Sequence, residues 1–155
     1  MHEFDDIEQK SWRDFLESSS QLLNILNRTL IERHGLKLAD VMLLQLLATS
    51  RGGSVRMGDL SNALMLIPSR LTQQARRLEA LGLIRRSASE GDRRGVVATI
   101  TGDGLAQAKH ALATYARFVR KNYLNPLSRQ QMTALGDSSR RISSALKDTE
   151  PNAKY

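Results

Sequence analysis

Three observations predict a mainly α fold with a small β-wing. Apolar residues recur at helical spacing through most of the 155 residues. Two short helical segments lie between Gly58 and Leu81, joined by only a few residues, with Pro68 opening the second. Directly after Gly82 the period shortens to two β-branched runs around a charged, turn-rich tip. Two short helices joined in this way form a helix-turn-helix candidate, and a basic hairpin behind one is the layout of a winged helix. The predicted architecture is a winged helix-turn-helix flanked by N- and C-terminal helices.

The elements follow in order. From Phe4 to Arg33 the apolar positions Ile7, Trp12, Phe15, Leu16, Leu22, Leu23, Leu26 and Leu30 keep a helical period, and Ser18–Ser20 is read as an exposed face. His34 and Gly35 close this helix, the glycine as a left-handed C′ residue and the histidine in a last turn that favours cations. Leu38 to Ser50 is apolar nearly all round, which predicts a buried helix. After RGGS, Val55–Met57 allows only a short strand. A helix near Gly58–Met65, a turn, and a helix from Pro68 to Leu81 ending at Gly82 come next. LIRRSAS and VVATIT then pair across EGDRRG as a hairpin. Thr101 caps a helix to about Leu124 that would be roughly 36 Å long, too long for one small core to cover. Pro126 breaks it. Ser128 with Gln131 forms a capping box for a last helix with the stripe Met132, Leu135, Ile142 and Leu146, and the polar tail from Asp148 is expected to fray.

Composition narrows the function. At this length one compact unit, with or without an appendage, is expected. The chain has no cysteine, so disulfides, zinc–thiolate sites, iron–sulfur clusters and thiol switches are excluded together. MHEFDDIEQK is acidic and no apolar run is long enough to span a bilayer, so the expected location is cytoplasmic, without a membrane. The net charge of +7 is unevenly placed. Residues 1–40 carry net −3, whereas 41–100 and 101–155 carry +5 each. Between Lys37 and Lys109 every basic residue is arginine, and seven arginines (Arg70, Arg76, Arg77, Arg85, Arg86, Arg93, Arg94) fall between positions 70 and 94. Arginine pairs bidentately with phosphate and with guanine, so this cluster points to a nucleic acid.

On a helical wheel Leu71, Ala75, Leu78 and Gly82 share the inward face. Ser69, Gln73, Arg76 and Ala80 lie opposite, with Arg70 and Arg77 on the flank and Thr72 and Gln74 near the borders. Arginine can read guanine and glutamine adenine in a major groove. The sole carboxylate on this helix is Glu79, near its end.

PSRLTQQARRLEALGLIRR, DRRGVVATIT and the following GDG, set in this order of elements, resemble the bacterial MarR-type (multiple antibiotic resistance regulator) transcription factors. The resemblance runs from Trp12 to Leu146, and its most specific part is Asp92, Arg94, the alternation ending in Ile100-Thr101, and Gly104. It implies a homodimer on double-stranded DNA, with 1–37 and 102–155 forming the helical dimerisation region and 38–101 the DNA-binding domain. Ser69, Arg70, Thr72, Gln73, Arg76 and Arg77 would belong to the recognition helix. Arg94 would enter the minor groove, braced by Asp92, with Arg93 attracting phosphate. The implied function is a ligand-responsive repressor acting on a pseudo-palindromic operator.

Two departures from the family pattern stand out: Ile67 replaces a frequent serine cap, and Arg76 replaces a frequent acidic residue. Lacking cysteine, the chain falls outside the peroxide-sensing branch. His2, His34 and His110 form no histidine–carboxylate cluster on one helix, so no metal or cofactor is expected. A small aromatic or phenolic effector, or none, remains. The family's effector region would fall among Leu30, Met42, Leu46 and Tyr115, each of which reads first as core. No catalytic constellation is visible, and RGGS lacks the lysine and length of a phosphate loop. The alternative is a winged-helix module for protein or RNA contact without operator specificity.

Overall fold

The computed structural model describes residues 4–91 and 95–149. Along them run α1 (Asp6–His34), α2 (Leu38–Thr49), β1 (Ser54–Arg56), α3 (Met57–Leu64), α4 (Pro68–Ala80), β2 (Ile84–Ala88), β3 (Val96–Ile100), α5 (Gly102–Val119) and α6 (Arg129–Thr149). A 3₁₀ turn occupies Arg51–Gly53, and a π-helical segment occupies Arg120–Leu124. The chain divides into two compact units, residues 1–116 and 117–155.

In the first unit the three strands form an antiparallel sheet in the order β1-β3-β2. The register sets Val55 opposite Ala98 and Arg86 opposite the same Ala98, so β3 is the central strand. Its inward residues Ala98 and Ile100 join Ile84 in the core. Helix α2 supplies Val41, Leu43, Leu44 and Leu47, all fully buried, as its nearly continuous apolar sequence requires. Leu26 and Leu30 enter this core from α1, Leu60 from α3, and Ala108 and Ala111 from α5. The strand after RGGS runs Ser54–Arg56, one residue earlier than expected, and ends at Arg56 because Met57 already belongs to α3.

Helix ends are set by local chemistry. Asp5 accepts N–H bonds from Ile7 (2.8 Å) and Glu8 (2.9 Å), while Glu8 accepts the Asp5 N–H (2.9 Å). This capping box starts α1 at Asp6 rather than Phe4. Gly35, at φ 66°, takes the left-handed C′ position and donates to the Ile31 carbonyl. His34 plays a structural part: its Nε2 lies 2.8 Å from Thr114 Oγ1, and its carbonyl accepts from Gln107 Nε2 at 2.9 Å. Both bonds tie the end of α1 to α5. Thr101 Oγ1 caps α5 by accepting the Gly104 N–H at 3.0 Å.

In the second unit, α5 does not run to Leu124 as one α-helix. It passes into the π segment at Arg120, and Asn125 N–H bonds back to the Arg120 carbonyl at 2.9 Å. Pro126 lacks an N–H and would strike the carbonyl of Asn122 in a continuing α-helix, so the chain turns here. Ser128 N–H then reaches Gln131 Oε1 (2.8 Å), and Gln131 N–H reaches Ser128 Oγ (3.2 Å), the expected capping box of α6. Helix α6 extends to Thr149, so Asp148 belongs to it.

Candidate nucleic-acid interface

Helices α3 and α4 meet through a tight turn at residues 65–67. Met65 adopts the left-handed region at φ 51°, and Leu66 N–H returns to the Ser61 carbonyl at 3.0 Å. The buried Ser61 hydroxyl in turn donates to the Leu66 carbonyl, so the turn is closed from both sides. Pro68 then begins α4 without any side-chain cap from Ile67. Missing its own N–H, proline leaves one fewer donor to satisfy at this end.

Leu71, Ala75 and Leu78 bury one face of α4. Ser69, Arg70, Gln73 and Arg76 are exposed, whereas Thr72, Gln74 and Arg77 are half-buried. Thr72 turns its hydroxyl back onto the Pro68 carbonyl at 2.9 Å. Gly82, placed on the inward face by the wheel, lies beyond the helix end and is exposed, at φ 73°.

Arg77 is engaged from below. Asp40 of α2 is only 1% exposed and forms an ion pair with Arg77 Nη2. The same carboxylate accepts the Lys37 N–H at 2.7 Å and Gln74 Nε2 at 3.2 Å. Around this junction lies a recess of about 430 Å³ that Lys37, Arg70 and Gln73 also line. Asp40 is absent from the sequence-derived site. Its signal was a lone carboxylate in an otherwise nearly apolar helix.

The hairpin is anchored at its base by a second ion pair. Glu79, near the end of α4, accepts Arg86 N–H (2.9 Å), Nε (3.1 Å) and Nη2 (2.8 Å). The Arg86 side-chain hydrogen bonds, with its backbone N–H next, hold the Glu79 carboxyl below its ordinary value. Arg86 therefore ties α4 to β2. Among the described residues no ion pair engages Arg70, Arg76 or Arg85, and all three are exposed. Ser89 N–H to the Gly95 carbonyl (2.8 Å) closes the hairpin toward its tip. Asp92, Arg93 and Arg94, expected at that tip, lie outside the described residues.

A separate groove of about 480 Å³ runs beside α1 and α2, lined by Leu23, Asn24, Asn27, Leu38, Ala39, Met42, Leu64 and Leu66. Asn27 Oδ1 caps the Leu38 N–H there at 2.9 Å. Of the four residues expected near an effector, Met42 lines this groove, Leu30 is fully buried core, and Leu46 and Tyr115 are half-buried. Among the described residues no three His, Asp or Glu side chains are grouped to hold a metal ion, and no helix is long and apolar enough to cross a membrane.

Residues 34–95 match the family model described as the MarR family. Two solved structures from Streptomyces coelicolor superpose over nearly the whole chain. AbsC, a MarR family transcriptional regulator, is 32% identical, with a TM-score of 0.90 over 96% of this chain and 99% of that one. Sco3205, a MarR family transcriptional regulator in complex with DNA, is 28% identical, with a TM-score of 0.93 over 99% of this chain and 97% of that one. The HTH-type transcriptional regulator PecS of Dickeya dadantii (strain 3937) is 38% identical over 74 residues. That match spans 48% of this chain and 44% of the length of PecS.

Proposed function

The chain belongs to the MarR family of DNA-binding transcriptional regulators, and from that premise we propose that it is a repressor that holds a pseudo-palindromic operator as a homodimer and is released by a small molecule. The observation that carries this reading is the outward face of α4. Ser69, Arg70, Gln73 and Arg76 stand exposed with no carboxylate among them. That face can place a guanine-reading and an adenine-reading side chain in one major groove. Thr72 and Arg77 flank it, and in this reading Arg94, with Asp92 and Arg93, contacts the neighbouring minor groove. That the relative Sco3205 is solved in complex with DNA supports DNA as the partner.

Dimerisation through 1–37 and 102–155 is supported by apolar side chains that a single chain leaves in water. Ile7 is 82% exposed and Trp12 57%, and Phe15 and Leu16 continue the same helix. In the second unit Leu135, Ile142 and Leu146 are likewise exposed along α6. Uncovered apolar area on this scale marks an interface. The groove at Met42 is the effector site of this reading. It is apolar with two asparagine amides, suited to a small aromatic or phenolic molecule carrying a hydroxyl. The protein acts where the chromosome is, in the cytoplasm, and its family is one of regulators rather than enzymes.

Selection of bound fragments from random duplex DNA tests the proposal. The expected product is a two-fold symmetric motif, with Gln73→Ala relaxing preference at one position of each half. Arg94→Ala should weaken binding to every sequence and lower the salt slope by about one. Equal binding to any duplex would refute operator recognition and favour a general interaction module.

A further inference from the structure

We infer that Asp40 is a positioning residue of the recognition helix, and that it withdraws Arg77 and Gln74 from base reading. Sequence reading is left to Ser69, Arg70, Gln73 and Arg76. The inference rests on α4 being the DNA-reading helix and adds to it which side chains read.

Asp40 is 1% exposed in a helix whose other buried residues are all apolar. A carboxylate in such a place is costly unless every oxygen is paired, and an apolar residue of similar volume is often as stable or more so. Here both oxygens are used: Oδ2 takes the Lys37 N–H and Arg77 Nη2, and Oδ1 takes Gln74 Nε2. Gln74 and Arg77 are three residues apart, hence neighbours on one flank of α4. The apolar face beneath them, Leu71, Ala75 and Leu78, resists separation of the helices but carries no directional bond against rotation or sliding. Two hydrogen-bonded side chains converging on one fixed carboxylate supply that direction along the flank of α4, as the Glu79–Arg86 bonds do at its end. Arg77 also gives up one arm of its fork, so it cannot offer that arm to guanine while the pair holds.

The test compares Asp40→Asn, Arg77→Met and Gln73→Ala in the full-length protein, each assayed well below its own melting temperature. Fragment selection gives the base preferences, and competition gives the ratio of operator to random-duplex affinity. Both Asp40→Asn and Arg77→Met should lower that ratio about tenfold and blur all positions of the half-site together. The double variant should be no worse than the poorer single one. Gln73→Ala should lose one position only. If Arg77→Met erases a single position while folded Asp40→Asn keeps the wild-type preferences, Arg77 is a reader and the inference fails. A lower melting temperature with an unchanged affinity ratio in both variants makes the pair merely structural, which also overturns it. If Asp40→Asn does not fold, Arg77→Met and Gln74→Ala carry the same comparison. Should Gln73→Ala and Arg76→Ala leave every position intact, the reading of α4 itself is at fault, a result distinct from failure at Asp40.

Discussion

Gly104 offers a sharp test of how the wing is joined to α5. A Cβ built at this position would stand 2.0 Å from the Leu83 carbonyl oxygen, 3.0 Å from its carbon and 2.8 Å from Ile100 Cγ1. Ordinary contact begins near 3.4 Å, so α5 and the Leu83 backbone must part by more than an ångström. Neither side yields easily. The Leu83 oxygen already accepts the Thr101 N–H at 3.0 Å, and Thr101 Oγ1 bonds both the Gly82 carbonyl (2.7 Å) and the Gly104 N–H (3.0 Å). Leu83 and Ile100 are themselves buried. Overpacking a core costs about 1–3 kcal/mol, and each strained hydrogen bond adds about 1 kcal/mol. We therefore expect Gly104→Ala to destabilise by about 3 kcal/mol, at the upper end of that range because backbone rather than a rotamer must move. For a chain of this size that lowers the melting temperature by about 6–12 °C. Circular dichroism melts of Gly104→Ala and Gly102→Ala measure it. Gly102 has nothing within 4 Å of its Cβ position, so its alanine variant should melt at or slightly above the wild type. A Gly104→Ala protein melting within about 2 °C of wild type would refute the close-packing argument.

Three further outcomes are expected. Met65 holds a left-handed conformation while 84% exposed, so Met65→Gly should raise stability by about 1 kcal/mol, and an unchanged or lower melting temperature counts against strain at this turn. The Glu79 carboxyl is held below its ordinary value of 4.5 by Arg86, so its stabilisation is complete above pH 4.5 and is lost as pH falls through the folded value. The difference in melting temperature between wild type and Glu79→Gln should accordingly be constant from neutral pH down to about 5.5 and shrink only on stronger acidification; shrinkage near neutrality would contradict the assignment. Deleting residues 128–155 should leave monomeric or poorly soluble protein by size-exclusion chromatography, whereas a well-behaved dimer would remove α6 from the proposed dimer interface.

What could be read from the sequence is what is decided locally. Gly35, Pro68, Thr101 and the Ser128/Gln131 pair each govern a backbone group within a few residues, and each stands where the residue pattern placed it. Asp5 and Glu8 carried the same kind of signal for the start of α1. The inward face of α4 followed from the 100° step per residue. The π segment at Arg120–Leu124 was not legible, because it is a one-residue change of hydrogen-bond register in a stretch that remains helical.

The arginines mark where local reasoning stops. All of those between 70 and 94 look alike in the sequence, yet a carboxylate 37 residues away takes Arg77 and one seven residues away takes Arg86. Both are engaged in holding α4 and the hairpin, whereas Arg70, Arg76 and Arg85 remain exposed. A charge count therefore overstates the phosphate-binding surface, and the salt slope should follow the unpaired arginines, not the total. Gly104 makes the converse point. The sequence displays the glycine as part of a family pattern, but its cause is the Leu83 carbonyl, 21 residues away in the chain and too near to tolerate one carbon. Pattern identifies such a residue, and only the packed Leu83 backbone explains why no other side chain can stand there.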